Sequence, residues 1–231
     1  MDHQQPQWGS GKILQVAMPI FKGVTTLDFV GPYEVLNCLP NVKVVFVSHS
    51  AGLYTDFGTL SIQATASFDQ VPKPDIVVVP GGIGTLALME DETFLQWLRK
   101  VHETSLYTTS VCTGSLLLAA AGLLNGLEAT THWSMYDLLA SLGAKPTKDR
   151  VVRQGKIITA AGVSSGIDMA LQLAALITDE TTAQVVQLFI EYDPQPPFNC
   201  GSPDKAGPEL VAKATAYVQK QSQRFMDQFN E

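Results

Sequence analysis

A chain of 231 residues with 45% hydrophobic side chains can build one sizeable α/β core or two small ones, and one domain is the simpler reading. Its net charge of −7, with 15 Lys plus Arg and no basic run, argues against a nucleic-acid surface. No apolar run approaches the ~20 residues of a membrane span, and the polar start 1–11 lacks the pattern of a signal peptide, so a cytoplasmic protein is expected.

In chain order, residues 1–11 read as a flexible segment, 12–20 as a strand, and 28–39 as a helix with Gly31-Pro32 in its first turns. A second strand spans 42–48. The apolar run 75–79 precedes Pro80-Gly81-Gly82, 91–102 is helical, and 106–111 is a strand running into Cys112 and the helix start Thr113-Gly114-Ser115. Helices over 133–142, 167–177 and 181–192 flank and follow a hairpin at 150–159. The segment 193–198 must leave helix geometry at its prolines, and an amphipathic helix over 209–229 lies within the closing stretch 206–231. Short apolar strands alternating with helices imply a doubly wound, flavodoxin-like α/β fold, its mainly parallel sheet covered on both faces, in a single domain over 12–231.

Three cysteines at wide spacing, Cys38, Cys112 and Cys200, argue for reduced thiols rather than a disulfide framework or a CxxC pair. Cys112 stands out, because a strand-to-helix turn pushes its side chain out of the sheet toward the positive end of a helix, where a thiolate is favoured. A small buried hydrophobe is the alternative. Cys38, on an apolar helix face, and Cys200, in a loop, read as bystanders.

Ligands of such sheets bind beyond the carboxyl ends of the strands, where Gly81-Gly82, Cys112 and the loop 24–28 all fall. The Gly82 amide would pair with that of Thr113 as donors to developing negative charge, unless the glycines form an ordinary turn. Asp28, between Leu27 and Phe29, is either a helix cap or a desolvated, protonated acid coupled to the thiolate. His132, in Thr130-Thr131-His132-Trp133, either joins Cys112 or starts a helix, and it lacks a partner at metal-ligand spacing. The turn 162–166, with Val163, reads as a serine-capped helix entry or as pocket lining.

The runs Leu27-Asp28-Phe29-Val30-Gly31-Pro32-Tyr33-Glu34-Val35-Leu36, Val79-Pro80-Gly81-Gly82 and Val111-Cys112-Thr113-Gly114-Ser115 resemble the ThiJ/PfpI superfamily, within the class I glutamine amidotransferase-like fold. Later motifs, Ala129-Thr130-Thr131-His132-Trp133, Ala161-Gly162-Val163-Ser164-Ser165-Gly166-Ile167-Asp168 and Tyr192-Asp193-Pro194-Gln195-Pro196-Pro197-Phe198, are similar to its isonitrile hydratase subgroup and to regulator domains. Thr113 stands where peptidase-like members carry histidine, and Asp28 where many relatives carry glutamate. The resemblance implies hydration of an isonitrile to an N-substituted formamide. It assigns Cys112 as nucleophile, Asp28 as acid and base, and Thr113 as a catalytic neighbour, with Gly81, Gly82, His132 and Val163 at the substrate. It implies neither metal nor organic cofactor, and a homodimer. A glyoxalase or deglycase on reactive carbonyls, and a cysteine-based ligand or redox sensor, are the alternatives.

Overall fold

β1 (Leu14–Pro19) buries five of its six side chains, as a strand covered on both faces requires. The computed structural model describes residues 12–229; the segment 1–11 expected to be flexible lies outside them. After β1 come α1 (Thr26–Asn37), β2 (Val42–Ser48), a hairpin of β3 (Gly52–Thr55) and β4 (Ser61–Ala64), and the short β5 (Ala66–Ser67). β6 (Ile76–Val79), α2 (Thr85–Leu88), α3 (Glu92–Thr104), β7 (Tyr107–Val111) and α4 (Gly114–Ala120) complete the first half. The two-residue strands β8 (Glu128–Ala129) and β9 (Lys145–Pro146) bracket α5 (Tyr136–Ser141). β10 (Val151–Gln154), β11 (Ile157–Ala160), α6 (Ser165–Ile177) and α7 (Glu180–Phe189) follow.

Seven strands form the main sheet in the order β10-β11-β7-β6-β1-β2-β5. All neighbours run parallel except β10, which turns back on β11 through Gly155 at φ 62°. Every residue of β6 and β11 is buried, so both pleat faces are covered. α1 and α6 pack on one another and on the sheet, while α4 packs on β6, β7 and α3. The α1–α6 approach depends on small residues: a Cβ at Gly31 would stand 2.9 Å from Ile167 Cγ1, and one at Gly166 3.2 Å from Pro32 Cγ. This is the doubly wound, mainly parallel α/β fold that the strand pattern implies.

The described residues fall into two compact units that divide between Glu191 and Tyr192. The second unit holds α8 (Pro203–Ala206) and the long α9 (Pro208–Phe229), separated by Gly207 at φ 76°.

Several elements depart from the sequence reading. α1 starts at Thr26 rather than at residue 28, which moves Asp28 into its first turn. The expected helix at 133–142 opens as a 3-10 turn, Trp133–Met135, before α5, and α7 stops at Phe189, short of Glu191 at φ 51°. The β3–β4 hairpin has no clean apolar alternation, since its side chains are mostly exposed or half-buried.

Candidate active site

Three neighbouring parallel strands deliver the site from their carboxyl ends. β7 leads into Cys112, β6 into Pro80-Gly81-Gly82, and β1, through the loop 20–25, into α1 and Asp28. Cys112 takes φ +58°, a left-handed conformation that costs a non-glycine residue about 1 kcal/mol or more. Its N–H holds the turn by donating to the carbonyls of Ala160 at 3.1 Å and Ala161 at 2.8 Å. The turn also needs Gly114, where a Cβ would lie 2.1 Å from the Val79 carbonyl oxygen.

The Cys112 side chain is nearly sealed, at 5% exposure. Its thiol donates to Asp28, and its sulfur accepts from the backbone N–H groups of Thr113 and Val163. Burial first, and then the neighbouring Asp28 charge, push the thiol well above its ordinary range. The sequence reading had the helix end favour a thiolate; here loss of water outweighs what the amides return.

Asp28 is wholly buried, and burial lifts its carboxyl to about 7 against the bonds from Gly81 and Cys112 that favour the charged form. Oδ2 accepts from the Gly81 N–H at 2.9 Å, while Oδ1 is a buried oxygen with no hydrogen-bond partner among the described residues. Asp28 is therefore no helix cap; it is a desolvated acid against the thiol.

The glycines do more than turn the chain. A Cβ on Gly81 would stand 2.5 Å from both the N and Oγ1 of Thr113 and 2.9 Å from Asp28 Oδ2. The Gly82 N–H, expected to face the reacting atom beside that of Thr113, donates instead to Thr113 Oγ1 at 2.9 Å. That assignment is corrected, since the donors at the sulfur are Thr113 and Val163. Val163 thus contributes its backbone N–H, a role that the reading of 162–166 as a helix entry or pocket lining did not specify. Thr85 was also missed; its hydroxyl donates to the Gly82 carbonyl and lies 3.1 Å from Thr113 Oγ1.

His132 caps the 3-10 turn, its Nδ1 2.8 Å from Ser134 Oγ and accepting from the Ser134 N–H at 3.4 Å. Burial lowers its pKa, and its ring borders Gly162, whose Cβ would lie 3.2 Å from His132 Cδ2. The preceding Thr131 reaches Cys112 itself, donating to its carbonyl at 3.1 Å. Among the described residues, no cluster of three or more His, Cys, Asp and Glu side chains could hold a metal ion, and no helix is long and apolar enough to cross a membrane.

The sequence pattern of the DJ-1/PfpI family matches residues 14–176, which include Asp28, Gly81, Cys112 and Val163. The chain belongs to the DJ-1/PfpI family. This DJ-1/PfpI protein is 48% identical to an isonitrile hydratase of Pseudomonas putida over 201 residues, 87% of this chain and 88% of the relative. It is 31% identical to the HTH-type transcriptional regulator CdhR of Pseudomonas aeruginosa, over 50% of this chain but only 35% of the regulator. Among solved structures, a ThiJ/PfpI family protein from Pseudomonas syringae superposes with a TM-score of 0.87 at 38% identity, covering 97% of this chain and 95% of that one. Drosophila melanogaster DJ-1beta, at 23% identity and a TM-score of 0.73, covers 79% of this chain and all of its own, and shares the fold.

Proposed function

We propose that this DJ-1/PfpI protein is an isonitrile hydratase, a hydro-lyase converting R–N≡C and water to R–NH–CHO. The observation that carries the reading is the buried hydrogen bond between Cys112 and Asp28, in a chain 48% identical to the Pseudomonas putida isonitrile hydratase. A terminal isonitrile carbon accepts both a nucleophile and a proton, and this pair supplies one of each.

The reactive form has the proton on Asp28 and the charge on sulfur, reached by transfer along their hydrogen bond. Cys112 sulfur bonds to the isonitrile carbon while Asp28 gives that carbon its proton, leaving the thioimidate R–N=CH–S–Cys112 and an Asp28 carboxylate. The carboxylate then takes a proton from water as its oxygen adds to the carbon, and passes it to nitrogen. Collapse of R–NH–CH(OH)–S–Cys112 breaks the C–S bond, returns the hydroxyl proton to Asp28, and releases the formamide and the thiolate. The amides of Thr113 and Val163 steady charge on sulfur as it attacks and leaves. Thr113, held by Gly82, keeps its amide in place, while Gly81 leaves room for Asp28. His132 and Val163 border the isonitrile, and the steps use no metal or organic cofactor. The protein acts in the cytoplasm, as a homodimer of single-domain chains.

The test is incubation of the purified protein with p-nitrophenyl isocyanide, with the formamide identified by NMR. Formamide formation supports the hydratase. Folded protein that leaves isonitriles untouched and turns over methylglyoxal overturns it in favour of carbonyl chemistry.

A further inference from the structure

Two buried hydroxyls converge on one carbonyl beside the nucleophile. Thr131 Oγ1 and Ser115 Oγ each donate to the Cys112 carbonyl oxygen at 3.1 Å, and both residues are 0% exposed. The helix itself offers that oxygen little, because the Ser115 backbone N–H lies 3.5 Å away. Neither hydroxyl takes part in the chemistry described above.

The carbonyl belongs to the peptide group joining Cys112 to Thr113. A peptide group is planar and trans, so its C=O and N–H point in opposite directions as one rigid plate. Pinning the oxygen therefore aims the hydrogen. The pin matters here because Cys112, at φ +58°, sits outside the regular ladders that elsewhere fix the plate, and because the hydrogen in question is the one that the sulfur accepts. Thr131 arrives from a separate segment, 19 positions along the chain, and ties that segment to the elbow.

We infer that Thr131, together with Ser115, is a positioning residue that sets the direction of the Thr113 N–H donating to the Cys112 sulfur. The second threonine of Thr130-Thr131-His132-Trp133 thereby acquires a role at the site without touching a reacting atom. This rests on Cys112 as the reacting group and not on the identity of the substrate.

The test is the rate of Cys112 alkylation by iodoacetamide from about pH 6 to about pH 10, read at the Cys112 peptide by mass spectrometry so that Cys38 and Cys200 do not contribute. Thr131→Val removes the hydroxyl at constant shape. Its alkylation profile should drop about tenfold across this range, the scale of one hydrogen bond to a charged group. Thr131→Ser, which restores the hydroxyl, should alkylate within about twofold of the wild type, since a structural packing role would not return with it. If Thr131→Val does not fold, Ser115→Ala is read in the same way and should shift the profile in the same direction. Folded Thr131→Val with a wild-type alkylation profile overturns the inference, as does a Thr131→Ser protein slowed as much as Thr131→Val.

Discussion

The thiol of Cys112 donates to the carboxyl of Asp28 inside the protein, and burial raises both groups together. Asp28 loses its proton at about 7, and Cys112 keeps its own far above the ordinary thiol range. From about pH 7 upward the pair therefore carries a single proton, and that one-proton pair is what covalent addition with acid catalysis uses.

Activity should follow that proton. kcat/KM should rise through about pH 7 as the doubly protonated pair loses its first proton, and hold into alkaline solution because the second stays bound. Asp28→Asn should lower turnover by at least ~100-fold and abolish this limb, which a pH–rate profile of both proteins reads directly.

Stability should move in the opposite sense. The folded state holds the Asp28 proton up to about 7, whereas the unfolded chain releases it near 3.8, so the fold binds more protons between these values and loses stability as pH rises through them. Replacing the acid by a neutral amide removes this loss. The stability of Asp28→Asn relative to wild type should therefore increase from about pH 4 to about pH 8, by on the order of 3 kcal/mol, in urea unfolding at each pH.

Gly81→Ala should damage the site without touching an acid or nucleophile. The added methyl would lie 2.5 Å from the Thr113 backbone nitrogen and 2.9 Å from Asp28 Oδ2, and the backbone atom cannot swing aside. A stability loss of about 1–3 kcal/mol is expected. Turnover should fall far more than this loss explains, as measured at a temperature where the variant stays folded.

Thr113→Val removes the acceptor of the buried Gly82 N–H, while Thr113→Ser keeps it. The valine variant should be destabilised by about 1–3 kcal/mol in thermal or urea unfolding, with the serine variant close to wild type.

The frame of this site is readable in the sequence because it depends on local pattern. The β-forming residues before Cys112 and the small residues after it read as a strand entering a tight helix start, and the runs at 14–19 and 76–79 place their loops on the same sheet edge. Apolar neighbours of Asp28 leave a helix cap and a desolvated acid both open in the sequence; the structure decides between them, burying Asp28 completely although Leu27 and Val30 stay exposed. What the sequence hides depends on how separate segments meet. Whether Gly82 or Val163 offers its N–H to the sulfur is decided by the path of two loops, and the Thr113 hydroxyl takes the first of these donors. Thr131 and Ser115 were invisible for the same reason, since their common partner is a backbone oxygen. The raised pKa of the Cys112 thiol is hidden too, because the positive end of a short helix is a local feature, whereas burial is a property of the whole assembly around it.

In the proposed mechanism the isonitrile carbon passes through a bond to Cys112. Formamide production from an aryl isonitrile at saturating concentration, followed by NMR for the wild type and for Cys112→Ala shown to be folded by circular dichroism, tests it most directly. Steady formamide is expected from the wild type, and none above the uncatalysed background from Cys112→Ala. Formamide released by Cys112→Ala at a rate close to wild type would contradict it.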